Sequence, residues 1–347
     1  MIRSLFFATG LLALAACAPP TFNERVDERL SAYAGECPGV AIRIILGRDV
    51  VLERTLGVAR VDARTPIDSD TNFRLASITK HFTALAVLIL VDEGLLSLET
   101  RLSEVFPDFP PYANAISIRH LLQHQSGLPD YEPLVPETQT PRVRDQAVLD
   151  LLINQPALDF EPGSQYHYSN SGYAVLAQVV ETIAKTPFQT FLADRIFTPS
   201  GLDQTVALVD GINAVNHRAL GYTIKQDVIE ERDQSPYSAV LGDGGVYSSL
   251  TDLTTWHLMG FGQRLISPAL FSAMHEPALE DYGLGWRIDQ FAGRIRYHHS
   301  GSTSGFRHFL AHFPESNLTL ILLTNRAAPD VRPLGEAILA DYFEAGQ

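Results

Sequence analysis

The sequence predicts an α+β protein whose antiparallel sheet is built from both chain ends, with helices flanking it and a helical lobe inserted between. Three observations predict this. β-rich apolar runs lie near the N-terminus, and the last hundred residues read as period-two strands. Between them lie helical pieces broken by Pro and Gly. No internal repeat or low-complexity tract divides the chain, whose 347 residues suffice for two lobes with a sizeable core.

Phe22, Val26, Leu30 and Tyr33 recur at helical spacing, and Gly35 is placed to cap that helix. Val40 to Leu46 and Val50 to Leu56 are β-rich runs joined through Gly47-Arg48-Asp49 as a hairpin. A polar approach, Pro66 to Asn72, leads to the most apolar helix, which opens with Phe73-Arg74-Leu75-Ala76-Ser77-Ile78-Thr79-Lys80 and stops near Gly94. Ile118 to His124, Asp145 to Leu152, Ala174 to Ala184 and Phe188 to Ile196 read as further helices, with helical pieces continuing to about residue 235. Leu250 to Met259 is a helix after the Gly242-Asp243-Gly244-Gly245 turn. Gly285 to Phe291, Arg294 to His298, Phe306 to Phe313 and Leu318 to Thr324 are strands, and Val331 to Phe343 is a closing helix. The boundaries expected are an α/β lobe over about 22–76 and 240–347, and a helical lobe over about 77–239.

Composition narrows the function. Hydrophobic content of 46% with 19% charged residues is that of a folded globular chain. A net charge of −14 without a basic run argues against nucleic acid as a partner. At the start, Met1-Ile2-Arg3 precedes an apolar run from Leu5 to Ala16 and then Cys17. This is the pattern of a secretory signal, too short for a spanning helix of roughly 20 residues. Leu14-Ala15-Ala16-Cys17 resembles a bacterial lipobox, in which the cysteine is lipidated; residues 18–21 would then be a tether. The resemblance implies a periplasm-facing lipoprotein, with Ala18 favouring the outer membrane. Ordinary cleavage after Ala18, releasing a soluble periplasmic or secreted protein, is the alternative. With two cysteines in all, no disulfide framework is expected, and Cys37 is read as a buried small apolar residue.

Three short clusters carry chemistry. Ser77 and Lys80, three residues apart on a helix, share a face, so the ammonium reaches the hydroxyl and can help it lose its proton. Alone, the pair would be read as a helix cap and a solvated edge. Tyr168-Ser169-Asn170 lies in a loop before the helix at Ala174, and His299-Ser300-Gly301 ends a strand, followed by Ser302. Strand alternation allows only one of His298 and His299 to face a site there.

In this order the clusters resemble the S-x-x-K, Y-x-N and K/H-T/S-G motifs of the serine β-lactamase and penicillin-binding-protein superfamily, in its class C and esterase-like branch. His124-Gln125-Ser126-Gly127-Leu128-Pro129, Gly244 to Ser249 with Asp252-Leu253, and Tyr282 to Trp286 extend the likeness over roughly residues 25 to 343. It implies a β-lactamase-like fold and an acyl-enzyme on Ser77. Lys80 would take the serine proton or hold the potential that acidifies it, and Tyr168 would be the second proton carrier; which is the base stays open. Asn170 would orient the substrate and Lys80, and His299 would bind the substrate or Tyr168. Backbone N–H groups of Ser77 and Ser302 would form the oxyanion hole, with Gly301 beside them. Histidine where penicillin-acting relatives carry lysine shifts weight from β-lactams towards esters, amides or peptides. The expected reaction is hydrolysis of a small-molecule or peptide substrate without metal or cofactor, with membrane contact through the Cys17 lipid only.

Two other hydrolase types fit worse. Gly301 to Gly305 places Thr303 where a G-x-S-x-G elbow needs serine, and His120-Leu121-Leu122-Gln123-His124 lacks the glutamate of a zinc hydrolase. A non-catalytic lipoprotein binding cell-wall peptides through a relic site is the alternative from another class. The oligomeric state is not readable.

Overall fold

The computed structural model describes residues 19–346. The signal-sequence and lipobox expectations, including Cys17, lie outside the described residues. Six antiparallel strands form the main sheet: β1 Val40–Leu46, β2 Asp49–Leu56, β3 Arg287–Phe291, β4 Arg294–Thr303, β5 Phe306–Phe313 and β6 Leu318–Thr324. Their order is β3-β4-β5-β6-β1-β2, so β1 pairs with β6 and joins the two chain ends, as expected.

Both faces of the sheet are covered, which is why its central strands are apolar at nearly every position. Val40, Ile42 and Ile44 point into a core shared with α1 (Phe22–Leu30) and α7 (Arg332–Glu344). Ala41 and Ile45, one residue out of phase, enter the larger core on the other face. At the centre of that core lies α2 (Lys80–Asp92), in which every residue from Lys80 to Leu90 is buried. A helix apolar all round has no solvent face to offer. The remaining helices used below are α3 (Ile118–Leu122), α4 (Asp145–Ile153), α5 (Asn170–Ala184) and α6 (Leu250–Leu258).

Four expectations are corrected. Ser77 lies on a 3₁₀ turn, Ala76–Thr79, ahead of the α-helix proper. The residue before it, Ala76, has φ +50°, so the chain bends sharply into the serine. The helix expected from Ala174 begins at Asn170, because Ser171 donates to the Pro129 carbonyl at 2.7 Å and Gly172 fits against Leu121. Within the stretch expected to be helical, Tyr222–Lys225 and Val228–Glu231 form a hairpin instead. Its turn residues Gln226 and Asp227 both have positive φ, the geometry that matches strand twist. Cys37 is half-buried, and its sulfur receives an Arg326 N–H at 3.1 Å, so it is not a plain apolar filler.

Candidate active site

Ser77 is held by a short strand, Phe73–Arg74, which pairs with Val246–Ser248, and by the Leu75 N–H donating to the Val246 carbonyl at 2.8 Å. Strand β4 runs five residues past its expected end at His298, carrying His299, Ser300, Gly301 and Ser302 alongside this segment. The glycine makes that approach possible: a Cβ on Gly301 would stand 2.2 Å from the Leu75 carbonyl oxygen. Gly285 does the same on the far side of Lys80, where a Cβ would lie 2.8 Å from the lysine carbonyl.

The Lys80 side chain is wholly buried. Its Nζ donates to Asn170 Oδ1 at 2.8 Å, to the Asp243 carbonyl at 2.9 Å and to Ser77 Oγ at 3.3 Å. Three donors meet three acceptors, so burial of the ammonium is compensated. In this state Lys80 aims an N–H at the serine oxygen. It therefore favours the alkoxide electrostatically, and it can accept a proton only after giving one up. The Tyr168 ring stands 4.9 Å from Nζ, and that of Tyr173 stands 5.3 Å away.

A second segment locks Tyr168 in place. His124, at φ +57°, accepts the Ser169 N–H on Nδ1 at 3.1 Å, while its carbonyl accepts the His167 N–H at 2.9 Å. Tyr168 lies between those two bonds, its ring 4.2 Å from the imidazole. Burial, then the charge of Lys80, pushes the His124 imidazole well below its ordinary range. Because α3 ends at Leu122, His120 and His124 do not share a helical face, which removes the spacing a zinc site would need.

His299 and His298 point to opposite sides of β4. His298 faces the Asp289 carboxylate at 3.2 Å. His299 is buried beside the Ser77, Lys80 and Tyr168 cluster, its ring 6.1 Å from that of Tyr168. Its Nδ1 donates to the Ser300 carbonyl at 2.7 Å, leaving Nε2 to accept the Tyr282 hydroxyl at 3.0 Å. Burial and the nearby Lys80 charge hold this imidazole neutral. Both nitrogens are engaged within the protein, so His299 orients Tyr282 and presents no free donor to the cleft.

The cleft itself brings Ser77, Asn170 and Ser302 together with Glu132, Tyr131, Tyr237, Arg74 and Asp243. Glu132 was missed in the sequence. It lies in the rim segment Asp130 to Arg142, where nothing but its charge marks it. Its Oε1 accepts the Asn170 Nδ2–H at 2.8 Å. Burial, then the charges of Asp243 and Asp130, raises its carboxyl above the usual range. Asp243 is also buried and raised, and accepts the Tyr131 hydroxyl at 2.7 Å. Arg287 was missed too: its guanidinium lies over the rings of Tyr282, Tyr168 and Tyr166 at 5.4, 5.7 and 5.8 Å.

The arrangement suits nucleophilic attack by Ser77, with proton traffic through Lys80 and Tyr168. Residues 22–342 match the family model described as Beta-lactamase. Penicillin-binding protein 4* of Bacillus subtilis (strain 168) is 30% identical over 302 residues, covering 81% of this chain and 66% of its own. The D-aminopeptidase of Brucella anthropi is 28% identical over 309 residues, 83% of this chain and 56% of its own. The chain thus spans from just over half to about two thirds of the length of these curated relatives. In fold it resembles the D-amino acid amidase of Ochrobactrum anthropi SV3 complexed with L-phenylalanine amide, with TM-score 0.79 and 23% identity over 94% of this chain and 99% of that one.

Proposed function

The chain belongs to the beta-lactamase family, and from that premise we propose that it is a serine hydrolase acting on amides or peptides with a free amino group. Ser77 Oγ attacks the carbonyl carbon as its proton passes to Lys80 in the amine form, or to Tyr168 as phenolate, and from there by way of Tyr168 to the leaving nitrogen. The oxyanion is received by the N–H groups of Ser77 and Ser302, each such donor contributing roughly a hundredfold in rate. The C–N bond breaks as Tyr168 protonates the leaving amine, and water then hydrolyses the ester on Ser77 with the proton path reversed.

One observation carries the substrate reading: a carboxylate, Glu132, stands in the cleft with Ser77 and is bridged to Lys80 through Asn170. One oxygen holds Asn170; the other is free to accept an ammonium group close to the scissile carbonyl. A neutral His299 tied to Tyr282 supports the shift away from substrates that need a lysine at that position. The D-aminopeptidase among the relatives agrees with this reading. For location, the lipobox-like Leu14 to Cys17 supports a periplasm-facing protein held by a lipid on Cys17.

The test is intact-protein mass after treatment with a fluorophosphonate and with penicillin G, beside Ser77→Ala. A phosphonate adduct lost in the variant is expected. An added penicillin adduct would place β-lactams among its acyl donors. No adduct from either would reduce the site to a binder of cell-wall peptides.

A further inference from the structure

A second cavity, of about 700 Å³, shares no lining residue with the catalytic cleft. It lies between the β1–β2 turn at Gly47 and Arg48, the chain after α6, and the outer parts of β4 and β5. Its volume falls in the range of small-molecule sites. Three imidazoles line it, those of His257, His275 and His312.

Their hydrogen bonds decide which nitrogens carry protons. His257 Nε2 donates to the Gly47 carbonyl at 2.8 Å, so its Nδ1 accepts the Thr319 hydroxyl, also at 2.8 Å. Thr319 Oγ1 in turn accepts from His312 Nδ1 at 2.8 Å, which leaves His312 Nε2 with a bare lone pair. His275 Nδ1 donates to the Phe271 carbonyl at 3.0 Å, leaving its Nε2 bare as well. Burial lowers both rings, His275 to about 4 and His312 to about 3, so both are neutral acceptors at pH 7.

Two lone pairs on an inner wall call for donors on the ligand. Tyr297, stacked on His275 at 4.3 Å, adds an aromatic face for C–H groups. At the solvent side Arg48 and Arg264 are exposed; the Arg264 guanidinium touches the Met259 sulfur at 4.0 Å. The exposed Glu276 carboxylate lines the cavity too and offsets one guanidinium, but in a chain of net charge −14 the second still favours an anion there. We propose that this cavity is a second ligand site, for a small polyhydroxylated carboxylate of the sugar-acid class. Hydroxyls donate to His275 and His312, the ring lies on Tyr297, and the carboxylate pairs with Arg48 and Arg264.

Trp286 reports on it, because its ring lies 5.6 Å from that of His275. The experiment is a tryptophan-fluorescence titration of the full chain with glucuronate, glucose and cyclohexanecarboxylate. Glucuronate should bind saturably, and the other two, each lacking half of the recognition, at least about tenfold more weakly. Arg264→Ala and His312→Phe should each weaken glucuronate by about tenfold while amide turnover stays unchanged. Since Arg264 is exposed, its variant folds even where His312→Phe does not. No saturable response, equal binding of glucose, or affinity unchanged in Arg264→Ala would overturn the proposal.

Discussion

The Glu132 carboxylate accepts a 2.8 Å hydrogen bond from Asn170, whose amide oxygen accepts one of equal length from Lys80. One asparagine thus separates a carboxylate from a buried ammonium and fixes the orientation of both. If Glu132 anchors the substrate amino group, Glu132→Gln should raise KM for free-amino amides by about tenfold or more, with kcat less affected. N-acetylated analogues, which have no ammonium, should lose nothing. Steady-state kinetics on the paired substrates decides it, and an equal loss on both would end the assignment.

Ser77→Ala should lower turnover by at least about a thousandfold. The fold should survive, since Lys80 keeps the Asn170 and Asp243 acceptors. Thermal unfolding within about 2 °C of wild type, read beside the rate, separates lost chemistry from lost structure.

His124 touches no leaving group, yet it holds the backbone on both sides of Tyr168. His124→Ala should cut kcat by about ten- to a hundredfold with KM little changed, because a misplaced proton carrier costs rate before binding. Asparagine tolerates the positive φ and offers an oxygen to the Ser169 N–H, so His124→Asn should recover most of the loss. Equal damage in both variants would mean that the ring's packing matters and its nitrogen does not.

Asp145, at the start of α4, is buried, and burial raises its carboxyl from 3.8 to about 7 against the pull of the Gly242 and Leu241 N–H groups. The folded state therefore keeps a proton that the unfolded chain releases. The stability this contributes is complete below about pH 4 and is lost as pH rises through about 7. Between pH 5 and 8 the wild type should lose about 2–3 kcal/mol relative to Asp145→Asn, which cannot titrate. Denaturant unfolding at both pH values measures it; parallel behaviour of the two proteins would refute the shift.

What was legible in the sequence is what repeats locally. Unbroken β-rich apolar runs in Val40 to Leu46 and Leu318 to Thr324 mark strands buried on both faces, and a longer apolar run marks α2. The Ser77–Lys80 spacing and the His299 register are also local, since helix pitch and strand pleat decide them within a few residues. The 206–231 stretch was misread because its strands are two to four residues long, shorter than the window in which a period shows.

From the sequence alone, then, come the fold class, the order of the motifs and the spacing that lets Lys80 reach the proposed nucleophile Ser77. Tertiary structure decided what those groups meet. The Asn170 contact with Glu132 spans 38 residues, the His124 splint on Ser169 spans 45, and the Lys80 bond to the Asp243 carbonyl spans 163. Local periodicity places a side chain on a face but does not say which distant segment packs against that face. That partner is chosen by burial over the whole core, and here it supplied the carboxylate, the tyrosine clamp and a neutral His299.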